Sequence, residues 1–205
     1  MKKLNLSNRR QEFINFYNYA DQYKEKHGGE FDIRNTKFVI TDGCTCCGFF
    51  DESKEKPLIV SAAKHPLFEA TFVHEFCHFQ QFIDQDPIYT DVEEDIWEDL
   101  KTKKRRMQSW DSVLQYIAME RDCELRSLRF SKKYNLFDNE EYAQNTNTYL
   151  YFYQYTFLKN EWIATGKLYS SPIPKMMPKK ILPMKTFEKI DMEIMKEYDK
   201  ILCSK

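Results

Sequence analysis

Two histidines four residues apart flank a glutamate in the segment Thr71-Phe72-Val73-His74-Glu75-Phe76-Cys77-His78-Phe79. On an α-helix, positions four apart share a face, so both imidazoles can reach one cation, and the glutamate between them can touch a water bound to it. That is the chemistry of metal-assisted hydrolysis, with His74 and His78 as ligands and Glu75 as general base. The competing reading is an amphipathic core helix whose histidines bond only to backbone. The surroundings argue against it: Phe72, Val73, Phe76, Phe79, Phe82 and Ile83 wrap the segment in apolar side chains, where a glutamate and two histidines need a strong compensating partner.

Catalytic zinc normally takes three protein ligands plus water, so a further ligand must come from elsewhere in the chain. His27 lies beside a Gly-Gly pair, and His65 precedes the motif without a metal-binding spacing. The better source is Ala118-Met119-Glu120-Arg121-Asp122-Cys123-Glu124, which brings three carboxylates into one helical stretch. With about 100° per residue, Glu120 and Glu124 fall with Val113, Ile117 and Leu128 on the apolar side, whereas Asp122 points away toward solvent or a surface partner. This assigns Glu120 as the third ligand and Glu124, one turn on, as the acceptor of a hydrogen bond from a ligating histidine. Exchanged roles for the two glutamates stay open. So does a plain helix whose glutamates edge the core or pair with Arg121.

With these residues in place the chain resembles the gluzincins, zinc metallopeptidases in which H-E-x-x-H on one helix is completed by a glutamate on a following helix. The resemblance covers about Lys37 to Phe130; His74-Glu75-Phe76-Cys77-His78 carries it most specifically, and Glu120 to Glu124 matches the glutamate helix. In size, and in having strands ahead of the motif, it looks like the minimal members: the small ImmA/IrrE-type endopeptidases and phage-encoded zincin-like proteins. No third histidine follows the motif shortly, which separates it from the metzincins. The resemblance implies Zn²⁺ as cofactor, a peptide or protein substrate, and a small sheet whose edge strand, Pro57 to Ala62 or a neighbour, aligns that peptide.

The elements that must position these residues can be read from the same sequence. Ser7 to Lys26 patterns as a helix, with Phe13, Ile14, Phe16 and Tyr17 on one side and Gly28-Gly29 ending it. Three short strand candidates follow: Lys37 to Thr41, Cys47 to Asp51 and Pro57 to Ala62. Pro66 suits the first position of the motif helix, which runs to about Asp84 before Asp86-Pro87. Helices are expected from about Gln108 to Lys133, from Asn139 to Ala164, and from Lys185 to Leu202. A proline-containing strap from Gly166 precedes the last of them. The expected fold class is α+β and zincin-like: a small, mostly antiparallel sheet, then a predominantly helical part. Residues 1–165 would form one metallopeptidase domain, with 166–205 as strap and terminal helix packed on it.

Composition removes other classes. At 205 residues with a net charge of −1, nothing in the overall balance calls for nucleic acid or an anionic membrane. No apolar run approaches membrane-spanning length, and the first residues lack the apolar centre of a signal peptide, so a cytoplasmic location is expected. Six cysteines without an export signal read as reduced thiols. Cys44-Thr45-Cys46-Cys47, between Gly43 and Gly48, reads as a turn; a second metal site there, completed by Cys77 or His65, competes with buried or redox-sensitive thiols. Cys123 and Cys203 are isolated and receive no role. An acidic block (Glu93, Glu94, Asp95, Glu98, Asp99) abuts Lys101 to Arg106, a pattern of local ion pairing on a solvated helix or loop. Two alternatives to a peptidase remain: a catalytically silent zincin-like binding protein, and a nucleic-acid-associated factor using Lys101 to Arg106.

Overall fold

The computed structural model describes residues 7, 9–41, 44–90, 92, 97–98, 106–107, 109–160 and 168–202. Apart from Val92, Trp97–Glu98 and Arg106, the acidic and basic blocks between Asp91 and Arg106 lie outside the described residues. The fold is mixed α and β, dominated by helix, and divides into two compact units: Met1–Asp86 with Arg126–Phe137, and Pro87–Leu125 with Asp138–Lys205. No described helix is long and apolar enough to cross a membrane.

The first unit opens with α1 (Gln11–His27), which ends at Gly28, whose φ of 73° is the left-handed conformation that closes a helix by returning its N–H to Lys24. Then come β1 (Glu30–Arg34), β2 (Val39–Thr41), β3 (Cys44–Cys46), β4 (Gly48–Asp51), β5 (Leu58–Ala62) and α2 (Phe68–Ile83). The three-stranded sheet has the order β1-β5-β4, with β1 parallel and β4 antiparallel to β5. It is therefore mixed rather than mostly antiparallel. The parallel strand was hidden because Glu30-Phe31-Asp32-Ile33-Arg34 is three-fifths charged. Cys44–Cys46, expected in a turn, is a strand antiparallel to β2. β5 is central and paired on both sides, so it cannot present a free edge.

α2 begins at Phe68, two residues beyond Pro66, because the His65–Leu67 segment is taken up in a turn closed by the Phe68 N–H on His65 O at 3.0 Å. Its apolar stripe, Phe68, Phe72, Phe76 and Phe79, packs on the aromatic face of α1: Phe13–Phe68 centroids lie 5.5 Å apart and Phe16–Phe76 5.6 Å, both edge-on. β4 reaches α2 at Gly48, where a Cβ would stand 2.7 Å from Val60 O and 2.8 Å from Thr71 Cγ2, so only glycine permits this approach. The last turns of α4 (Trp110–Tyr134) complete the unit. Phe130 stacks edge-on against Phe16 at 5.2 Å and Phe76 at 5.8 Å, and the Ser127 hydroxyl donates to Cys77 Sγ at 3.4 Å.

The second unit holds α3 (Pro87–Thr90), the short antiparallel pair β6 (Trp97–Glu98) and β7 (Arg106–Met107), and the earlier part of α4. It continues with α5 (Asn139–Lys159), α6 (Ile173–Met176), a 3₁₀ turn (Met184–Glu188) and α7 (Met192–Leu202). Asp138 caps α5 by accepting the N–H groups of Glu140 and Glu141 at 2.8 and 3.0 Å. Asn160, at φ 54°, stops α5 short of Ala164, and residues 161–167 lie outside the described residues. The helix expected from Lys185 is split, because Asp191 accepts from the Glu193 and Ile194 N–H groups and so starts α7 afresh. Buried amides on α5 sew the proline-rich strap in place. Asn147 Nδ2 donates to Pro178 O and Lys180 O and its Oδ1 accepts from Leu182 N, while Gln154 Nε2 donates to Phe187 O, each at 2.9 Å. Such amides satisfy the strap's main-chain groups in place of a regular ladder.

Candidate metal centre

The phenylalanine stripe of α2 faces α1, and helical geometry puts His74, His78 and Gln81 together on the opposite side, with Glu75 at the flank between the two faces. His78 and Glu75 are 7% and 8% exposed, too little for water alone to solvate a charge. The Nε2 atoms of His74 and His78 stand 3.1 Å apart, with the rings edge to face. Two nitrogens at that distance cannot both present lone pairs to nothing; they need one proton or one cation between them. Nitrogen ligands about 2.0–2.1 Å from one tetrahedral zinc are separated by about 3.3 Å, so the imidazole pair fits a metal.

His78 Nδ1 lies 2.9 Å from Oε1 of Gln81, whose side chain is fully buried. Sequence reasoning passed over Gln81, although a polar side chain one turn after a ligating histidine in an apolar helix was a usable signal. It also passed over Cys123. The ligand atoms of His74, His78 and Cys123 all lie within 4.8 Å of one another, a group that could hold a metal ion. The signal here was that a thiol, itself a good zinc ligand, occupies the same buried stripe of α4 as Glu120 and Glu124.

Glu120 and Glu124 are both buried on α4, at 4% and 7% exposure, as their helical phase predicts; Asp122 is half-buried. Tyrosines of α5 hold both carboxylates. The Tyr153 hydroxyl donates to Glu120 Oε1 at 3.1 Å, and the Tyr142 hydroxyl donates to Glu124 Oε2. Burial, with the Glu120 charge adding to it, pushes the Tyr153 and Tyr149 phenols well above their ordinary range, so both remain donors.

Cys47, just ahead of β4, feels the Glu75 carboxylate: burial first, then Cys46 and Glu75, push its thiol up to about 11. The Leu67 N–H donates to His65 Nδ1 at 3.1 Å, and burial lowers the His65 pKa, so neutral His65 carries its hydrogen on Nε2, which points at Cys47 Sγ 3.2 Å away. That is a hydrogen bond to a protonated thiol, and it leaves His65 no free lone pair for a second metal. No protein-family model matches this chain, no curated protein matches it in sequence, and no solved structure matches it in fold.

Proposed function

We propose that this chain is a zincin-like, gluzincin-type metallopeptidase, a zinc-dependent hydrolase of peptide bonds. The observation that carries the reading is the 3.1 Å approach of the His74 and His78 Nε2 atoms on a helix that also presents buried Glu75. His74, His78 and Glu120 would hold the cation. When bound, such an ion lowers the pKa of a coordinated water to about 7 and polarises a carbonyl. Glu75 takes the proton from the attacking water and delivers it to the leaving amine. Glu124 supports the ligand set from one turn further along α4.

Support for Glu120 comes from the continuity of α4. Its Ser127 and Phe130 side chains are fixed against Cys77 and Phe76 of α2, and Glu120, Cys123 and Glu124 follow along the same buried face one and two turns earlier. Support for a peptide substrate comes from β4. It pairs with β5 on one side only among the described residues, and Gly48 brings it against Thr71, one turn before His74. An extended segment could add to that edge by main-chain hydrogen bonds.

A second reading is favoured by one specific observation, the grouping of Cys123 with both imidazoles. In it the metal is held by His74, His78 and a Cys123 thiolate, and the centre serves binding rather than turnover. Two measurements test the first reading. Metal analysis of purified protein should find about one zinc per chain, lost in His78→Ala. Glu75→Gln should keep the zinc and lose peptide cleavage, whereas cleavage surviving in that variant would remove Glu75 as base.

A further inference from the structure

Gln81 has no part in the reaction chemistry, yet its side-chain Oε1 lies 2.9 Å from Nδ1, the far nitrogen of His78. We propose that Gln81 is a positioning residue that sets the tautomer of His78, holding hydrogen on Nδ1 so that Nε2 offers its lone pair to a cation. The inference rests on the metallopeptidase reading for its purpose, not for its geometry.

Three features carry it. Gln81 follows His78 by three residues on α2, and long helical side chains lean back toward the preceding turn, so the amide reaches the ring with little freedom to go elsewhere. An amide oxygen can only accept, so at 2.9 Å the partner atom Nδ1 must carry the hydrogen, and the neutral ring then keeps Nε2 bare. Both groups are buried, Gln81 fully, so no solvent competes for Nδ1. The bare Nε2 is the atom 3.1 Å from His74 Nε2. A ring of the other tautomer would set Nδ1 and Oε1 lone pair against lone pair and would block the ligating nitrogen with a hydrogen.

The choice of an amide has a chemical consequence. A carboxylate behind a ligating histidine orients the ring and also raises its basicity; a neutral amide orients without adding charge. The centre therefore gains a fixed imidazole with no added charge behind His78.

The test uses the full chain. Long-range ¹⁵N imidazole spectra of metal-free wild type should report His78 with hydrogen on Nδ1. Hydrogen on Nε2, which is what a reversed Gln81 amide would require, overturns the proposal without any variant being made. Gln81→Leu should weaken zinc binding roughly 10- to 100-fold, the range seen when such outer partners are removed. Gln81→Glu, which keeps an acceptor at Nδ1, should hold zinc at least as tightly as wild type. Equal zinc affinity in the leucine variant overturns the role while leaving the metallopeptidase reading standing. A wild type that binds no zinc defeats that reading, and the spectrum still decides the tautomer.

Discussion

The Tyr153 hydroxyl of α5 donates to Glu120 Oε1 of α4 across 3.1 Å, with the phenol fully buried and the carboxylate nearly so. Tyr149 is hydrogen-bonded to Tyr153 in turn, its ring centroid 5.0 Å away, so two phenols stand behind one carboxylate. Tyr153→Phe keeps the ring and removes the donor to a charged acceptor. The expected loss is about 1.5–3 kcal/mol of unfolding free energy by urea titration, and a weakened zinc affinity if Glu120 is a ligand. A loss below a few tenths of a kcal/mol would mean that Glu120 is satisfied without this phenol.

The identity of the third ligand is separable by spectroscopy. Cobalt-substituted protein should show tetrahedral d–d bands that Glu120→Gln weakens, with no sulfur-to-metal charge transfer, and Cys123→Ser should leave the spectrum intact. An intense near-ultraviolet charge-transfer band that vanishes in Cys123→Ser assigns the position to the thiolate instead. That outcome would favour the binding centre over the peptidase.

What could be read from the sequence followed local periodicity. The phase of Glu120 and Glu124 on α4, the apolar stripe of α2 and the two-histidine face are each set by residues within a few turns, and all three are observed. What escaped depends on partners distant in the chain. β1 pairs with Leu58–Ala62, a partner more than twenty residues away, and the alternation of Glu30-Phe31-Asp32-Ile33-Arg34 rests on only two apolar positions, too short to announce a strand by itself. Cys123 looked isolated because no other cysteine or histidine stands near it in sequence, while the imidazoles whose ligand atoms lie within 4.8 Å of its sulfur come more than forty residues earlier. Tyr153, by contrast, was visible as part of an aromatic helix; its bond to Glu120 was not, because a tyrosine stripe serves packing and hydrogen bonding with the same spacing.

Acid should act on α5 through its cap. The two backbone N–H groups bonded to Asp138 hold its carboxyl below the ordinary carboxylate range. A depressed folded value means that the contribution is complete above the unfolded pKa of about 3.9 and is lost as pH falls through the lower folded value. Asp138→Asn still caps but does not titrate. The stability difference between wild type and Asp138→Asn should therefore be constant above about pH 5 and shrink below pH 4. A difference that stays level down to pH 3 would show that the cap bonds do not depend on charge.

Gly48 and Gly28 offer a paired test of whether the approach of β4 to α2 matters for the metal. In Gly48→Ala the new methyl meets Val60 O at 2.7 Å and Ser61 Oγ at 3.0 Å on one side and Thr71 Cγ2 at 2.8 Å on the other. Val60 O is backbone in the central strand and cannot swing aside, so the strain must pass to α2 one turn before His74. Overpacking of this kind costs about 1–3 kcal/mol, and here the zinc affinity should fall with it because the His74–His78 pair rides on the displaced turn. In Gly28→Ala no atom stands within 4 Å of the added Cβ, but φ is +73°, so the cost of about 1–2 kcal/mol is purely conformational. That variant should lose comparable stability and bind zinc as wild type does. Parallel losses of zinc affinity in both would tie metal binding to global stability, and the position of β4 would then have no separate part in shaping the site.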